Sequence, residues 1–131
     1  MIESHVTSLE LSRKLHELGV NKPSIYYWHE GNDINDEGHE VYRLELLNYQ
    51  HSYLESYAAY LSSELLPILP KKIANNDCHE RYLYIDTSLD YTLYYFEDVD
   101  NQSDENFANA IAKMLIYLIE NGYVKVEDLN K

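Results

Sequence analysis

Three observations predict an α+β fold, with a small antiparallel sheet of about four strands and three helices in the order α-β-β-α-β-β-α. Segments near the two ends carry apolar stripes at helical spacing, each followed by a glycine. The middle holds short aromatic runs bounded by turn formers, which suits strands. Those runs fall in adjacent pairs, the order that gives antiparallel neighbours with helices to one side.

The elements follow in order. Thr7 with Glu10 three residues on reads as a capping box, and Leu11, Leu15 and Leu18 line one helical face before Gly19 ends it. After Pro23, Ser24 to Trp28 is short and aromatic and reads as a strand. Glu30 to Gly38 is polar and flanked by glycine, a loop. Glu40 to Leu47 puts Tyr42, Leu44 and Leu46 on one face and Arg43 and Glu45 on the other, a half-buried strand. Leu54, Tyr57, Ala58, Leu61 and Leu65 lie at helical spacing, so a helix is expected there, ending near Pro67 because proline lacks the amide a helix needs.

Arg81 to Asp86 and Tyr91 to Phe96, separated by Thr87-Ser88-Leu89-Asp90, read as a hairpin. Ser103 or Asp104 is the expected cap of a last helix striped by Phe107, Ile111, Met114, Leu115 and Leu118, with Gly122 as its stop. Tyr123 to Val126 suggests a short terminal strand.

The 131 residues fit one domain, 1–131, able to form a core without disulfide or metal staples. The single Cys78 leaves no internal disulfide, which suits a reducing compartment, and no apolar run approaches a bilayer span. A cytoplasmic protein that neither inserts in a membrane nor carries a secretion signal is therefore expected. Ten basic and twenty-three acidic residues leave a formal charge of −13. That balance disfavours direct nucleic-acid binding, which depends on neutralising phosphates with Lys and Arg.

The segments Thr7-Ser8-Leu9-Glu10-Leu11-Ser12-Arg13-Lys14-Leu15-His16-Glu17-Leu18-Gly19, Ser24-Ile25-Tyr26-Tyr27-Trp28 and Ala108-Asn109-Ala110-Ile111-Ala112-Lys113-Met114-Leu115-Ile116-Tyr117-Leu118-Ile119-Glu120-Asn121-Gly122 together resemble a family of small phage- and prophage-associated bacterial proteins. A weaker likeness runs from Ala59 to Lys71, where Leu61 replaces the family's Thr cap and Pro67 falls inside its short helix. The resemblance implies a fold and a mobile-element setting. Small accessory proteins of such elements often counter host defences, by capturing a nucleotide signal or by blocking a host protein.

Chemistry-bearing clusters are weak. Asp33 to Gly38 imitates the first half of a calcium loop, but the twelfth position is Leu44, with Glu45 one place late. His29, Glu30, His39 and Glu40 could meet across a hairpin, yet no zinc-ligand spacing is present. Cys78-His79 lacks a third group to orient a nucleophile and base. No catalytic residue, metal ligand or cofactor is assigned, and a non-enzymatic binding module is expected.

The fourteen tyrosines carry the remaining signal. Tyr26, Tyr27, Trp28, Tyr42, Tyr82, Tyr84, Tyr91, Tyr94 and Tyr95 fall on expected strands, so rings should occupy both sheet faces, one packed and one open to stack a base or anchor a protein. The first expectation is a small, nucleotide-like ligand held by Tyr26, Trp28, Tyr82 and Tyr84, with Arg43 and Arg81 meeting its charge. The alternative is an acidic inhibitor that imitates nucleic-acid charge and blocks a host nuclease or DNA-binding protein. Its patch would be Glu97, Asp98, Asp100, Asp104 and Glu105. Partners are thus a small molecule or a host protein, and self-association is compatible with either.

Overall fold

The computed structural model describes residues 2–34, 37–38, 40–48, 55–74, 80–95 and 99–130. Among them run α1 (Leu9–Glu17), β1 (Tyr26–Ile34), β2 (Glu40–Leu47), β3 (Glu55–Ala59), α2 (Ser62–Leu65), β4 (Lys72–Ala74), β5 (Glu80–Tyr82), β6 (Tyr84–Asp86), β7 (Tyr91–Tyr94), β8 (Gln102–Asp104), α3 (Phe107–Glu120) and α4 (Val126–Leu129). The class is α+β with antiparallel pairing throughout the named strands. Among the described residues, however, the strands number eight and form three small sheets ordered β2-β1-β3, β4-β5 and β6-β7-β8.

Helix α3 forms the centre. Its stripe is wider than the sequence suggests, with Ala108, Ala110, Ala112 and Ile116 buried beside Ile111, Met114, Leu115 and Leu118. Small alanines let neighbours approach on several sides, and α1, α2, β7 and β8 all pack there. Leu15, Leu65, Leu69 and Leu93 join the same buried cluster. Phe107, at the helix start, stacks on Tyr91 at 4.7 Å between ring centres.

Both expected helix stops are present. Gly19 and Gly122 have φ of +96° and +78°, where a Cβ would be strained. Val20 N donates to Leu15 O and Tyr123 N to Leu118 O, closing each end by the six-to-one bond of a Schellman turn. The helix starts are displaced from expectation. Ser8, not Thr7, caps α1 by accepting from Leu11 N, because Thr7 is held to the chain beyond β3: its amide donates to Tyr60 O and its Oγ1 accepts from Tyr60 N. Asn106, not Ser103 or Asp104, caps α3, accepting from Asn109 N while its own amide donates to Asp104.

Four further elements differ. Residues 55–59 are strand β3 where a longer helix was expected, since Tyr57 and Ala59 pair with Trp28 and Tyr26 at the edge of β1. The helix that remains is one turn, capped at Leu61, which has no side-chain oxygen; Glu64 instead reaches back to accept from Leu61 N at 2.8 Å. Strand β1 continues to Ile34 through residues read as loop, because its ladder to β2 sets Gly31 against Arg43 and Ile34 against Glu40. The expected single hairpin is divided: residues 80–82 pair with β4, while 84–86 pair with β7. After Gly122 the chain forms α4 rather than a strand, which buries Leu129 in the core.

Candidate binding face

The residues expected to build an aromatic pocket fall on three sheets. Tyr26 and Trp28 lie two apart on β1, both half-buried, and Trp28 Nε1 donates to Thr7 O at 2.8 Å, so its polar edge is already engaged within the fold. Arg43 sits on β2 opposite Gly31. Arg81 and Tyr82 are on β5, and Tyr84 is on β6. The recorded pairings join Tyr26 and Trp28 to β2 and β3, and Tyr82 and Tyr84 to β4 and β7. By pairing the six residues thus fall in three sheets, and along the chain they form two neighbourhoods, residues 26–43 and residues 81–84.

The second neighbourhood is open to solvent. Among the described residues five large apolar side chains are exposed, and four lie within one stretch: Tyr82 (54 %), Tyr84 (47 %), Ile85 (37 %) and Leu89 (97 %). Leu83, between the two tyrosines, turns inward and packs on the core, while its amide donates to Lys71 O. Alternation along an extended chain then places Tyr82 and Tyr84 on the outer side. Strand β6 is the outer strand of its sheet among the described residues, and all three of its residues are exposed.

This face is held in shape by its own polar groups. Glu80 accepts from Lys72 Nζ at 3.1 Å and from Tyr82 OH at 3.0 Å, which orients the Tyr82 ring. The bond from Lys72, then that from Tyr82, holds the Glu80 carboxyl below the usual carboxylate range. Asp86 accepts from both the hydroxyl and the amide of Ser88, at 2.6 and 2.8 Å, an Asx-type turn that carries Leu89 outward and likewise lowers the Asp86 pKa. The Tyr84 ring stacks on Tyr94 across the β6–β7 pair at 5.6 Å. Aromatic rings with fixed rotamers beside ionised carboxylates lose little entropy on contact with a partner.

Other tyrosines are occupied in the fold. Tyr60 OH donates to Lys22 O and Tyr95 OH to Pro70 O, and burial pushes both phenols above their ordinary pKa, so each remains a donor. His29 is wholly buried, and on the ladder it faces Glu45 and Ser56, which places it well along the strand from the Ile34–Glu40 end. That register separates it from Glu40, and His39, the other member of the expected cluster, lies outside the described residues. Among the described residues no group of three His, Cys, Asp or Glu is placed to hold a metal. Cys78 and His79, and part of the calcium-like segment, lie outside the described residues.

In the expected acidic patch, Glu97 and Asp98 lie outside the described residues, while Asp100 and Glu105 are exposed. Asp104 is committed to the fold. Partial burial pushes its carboxyl up, but hydrogen bonds from Lys113 and the Asn106 amide outweigh that and hold it below its ordinary value. The Lys113–Asp104 ion pair is 2.8 Å long.

A cleft of about 450 Å³ lies between α1 and α3, lined by Arg13, Lys14, Lys113 and Tyr117 among others. It gathers three of the ten basic residues in the chain. Glu10, Glu17 and Glu120 share its walls, and Glu120 lies 3.4 Å from Lys14. The sequence reasoning missed this cleft because its walls come from helices far apart in the chain. It also missed Ile85 and Leu89, although an apolar residue in the polar turn Thr87–Asp90 is a readable signal. Among the described residues no helix is long and apolar enough to cross a membrane.

Comparison of the chain with protein-family profiles, curated proteins and solved structures finds no match.

Proposed function

We propose that this chain is a non-enzymatic binding protein of mobile-element origin that occupies a basic surface of a host protein, such as a nuclease or another nucleic-acid-binding protein. One observation carries the reading. Tyr82, Tyr84, Ile85 and Leu89 stand exposed within one stretch of chain that also carries Glu80 and Asp86, whose hydrogen bonds favour the ionised form. Clustered exposed rings and aliphatic groups mark a surface that gains by being covered, and tyrosine is a frequent anchor in protein interfaces. The net charge of −13 would draw a basic partner and repel nucleic acid itself. The resemblance of the terminal helices to phage-associated proteins supports the setting.

A small nucleotide-like ligand is the second reading, favoured by the three cations and Tyr117 in the α1–α3 cleft. Phosphate there would have to compete with Glu120 for Lys14.

Purification from bacterial lysate followed by native mass spectrometry separates the two. The expected result is a bound host polypeptide that is released as salt rises, because screening weakens exposed charge pairs, and that is not retained by a Tyr84→Ser/Leu89→Ser protein. A nucleotide-sized mass retained without any polypeptide would overturn the protein-partner reading in favour of the cleft.

A further inference from the structure

Resting on the protein-partner reading, we propose that Leu89 anchors the contact: it enters an apolar pocket, sized for one aliphatic side chain and rimmed by Lys or Arg, on the basic surface of the partner protein.

The pairing of β6 with β7 sets Leu89 at the apex of a hairpin. Tyr84 pairs with Tyr94, Ile85 with Leu93 and Asp86 with Thr92, so residue 89 is the midpoint of every pair along the chain. The connecting residues Thr87-Ser88-Leu89-Asp90 are polar except at this position. Leu89 is 97 % exposed, the most of the five exposed large apolar side chains among the described residues. A leucine so placed adds almost nothing to packing within the chain, whereas a partner that covers it removes a whole aliphatic side chain from water. The apex is also shaped before contact. Asp86 accepts from the Ser88 hydroxyl at 2.6 Å and from its amide at 2.8 Å, which orders the turn and reduces the entropy lost on docking.

The residues flanking the apex specify the partner. Asp86 and Asp90, both exposed, bracket Leu89 in the turn, so a pocket that admits the leucine meets carboxylates at its rim. Lys or Arg on that rim is favoured and Asp or Glu is repelled. With one aliphatic side chain at the apex, the turn suits a pocket rather than a long groove. Tyr84 and Ile85, exposed on the strand that leads into the turn, supply the surrounding contact. A second copy of this chain is a poor partner, since two molecules each of charge −13 repel.

The test uses the full chain with a diazirine-bearing aliphatic residue in place of Leu89 and, as a control, in place of Ile25, which is 56 % exposed but lies outside the 82–89 stretch. On irradiation in bacterial lysate, position 89 should crosslink to the polypeptide retained in native mass spectrometry and position 25 should not, with Lys or Arg beside the apolar residues it labels. The labelled polypeptide is then purified and its affinity for the unaltered chain measured. Leu89→Ala should weaken binding about tenfold or more, from the aliphatic carbons no longer buried, and Leu89→Met much less, because methionine keeps the volume. Asp86→Asn with Asp90→Asn keeps an acceptor for the Ser88 bonds and should flatten the fall of affinity with salt. Equal affinity for Leu89→Ala and the unaltered chain would overturn the anchor, and if Tyr82→Ser/Tyr84→Ser still loses the polypeptide the protein-partner reading stands. Labelling of an acidic site would likewise overturn only the anchor. Retention of no polypeptide by any of these chains would overturn both readings. Crosslinking of position 89 to another copy of this chain would assign the apex to self-association and overturn the basic partner.

Discussion

Helix α3 and the β6 rim use similar side chains to opposite ends. Around α3 every large apolar group finds a neighbour, and rings such as Tyr95 and Phe107 are enclosed by the core or stacked at its edge. Between residues 82 and 89 the tyrosines, Ile85 and Leu89 are left in water, yet hydrogen bonds and stacking organise them. Stability is therefore concentrated in one region, and surface that gains from being covered is concentrated in another. Substitutions in the two should have separable effects, on folding in the first case and on recognition in the second.

The largest expected effect is at the centre. Ile111→Ala should destabilise the protein by about 3 kcal/mol through lost burial and a residual cavity, measured by denaturant unfolding; a loss near zero would show that α3 is not the packing centre. Next is Glu64, whose carboxylate accepts from Ser24 Oγ, Ile25 N and Leu61 N and so ties the β1 approach to α2. Glu64→Ala should cost about 2 kcal/mol, because it strands several donors of charge-assisted bonds, with amide exchange quickening first around residue 25.

Asp104 gives a smaller, pH-dependent effect. Its folded pKa lies below the unfolded value of about 4, so its contribution is complete above that pH and fades as pH falls through the folded value. Asp104→Asn should lower stability at pH 7 and flatten the acid limb of the stability curve, whereas an unchanged limb would remove the Lys113 pair as its cause. At the rim, Tyr84→Ser with Leu89→Ser should lower unfolding stability by only about 1 kcal/mol, the loss of the Tyr84 stack on Tyr94. Partner retention should vanish in the same protein. A large stability loss there would mean that the rim belongs to the core region after all.

Much of the local structure can be read directly from the chain. Gly19 and Gly122 end their helices as their positions suggest, the stripe from Phe107 to Leu118 forms α3, and the strand expected over residues 40–47 has those bounds. Tyr82 and Tyr84 were singled out as binding rings, and both are exposed. Trp28 was singled out with them, but the Thr7 carbonyl that holds its indole N–H comes from twenty-one residues away. The α1–α3 cleft likewise needs both helices in place before it exists.

Helix stripes and glycine stops depend on residues within about one turn of each other, where spacing alone fixes which side chains are neighbours. Strand pairing has no such limit. The partition into three sheets, the conversion of residues 55–59 from an apparent helix to the β3 edge, and the transfer of the α1 cap from Thr7 to Ser8 all follow from bonds between distant segments. Exposure follows the same rule. A tyrosine in or beside a strand is enclosed or left open according to how the layers meet: Tyr95 is wholly buried, whereas Tyr84 on β6 stays half-exposed beside Tyr94.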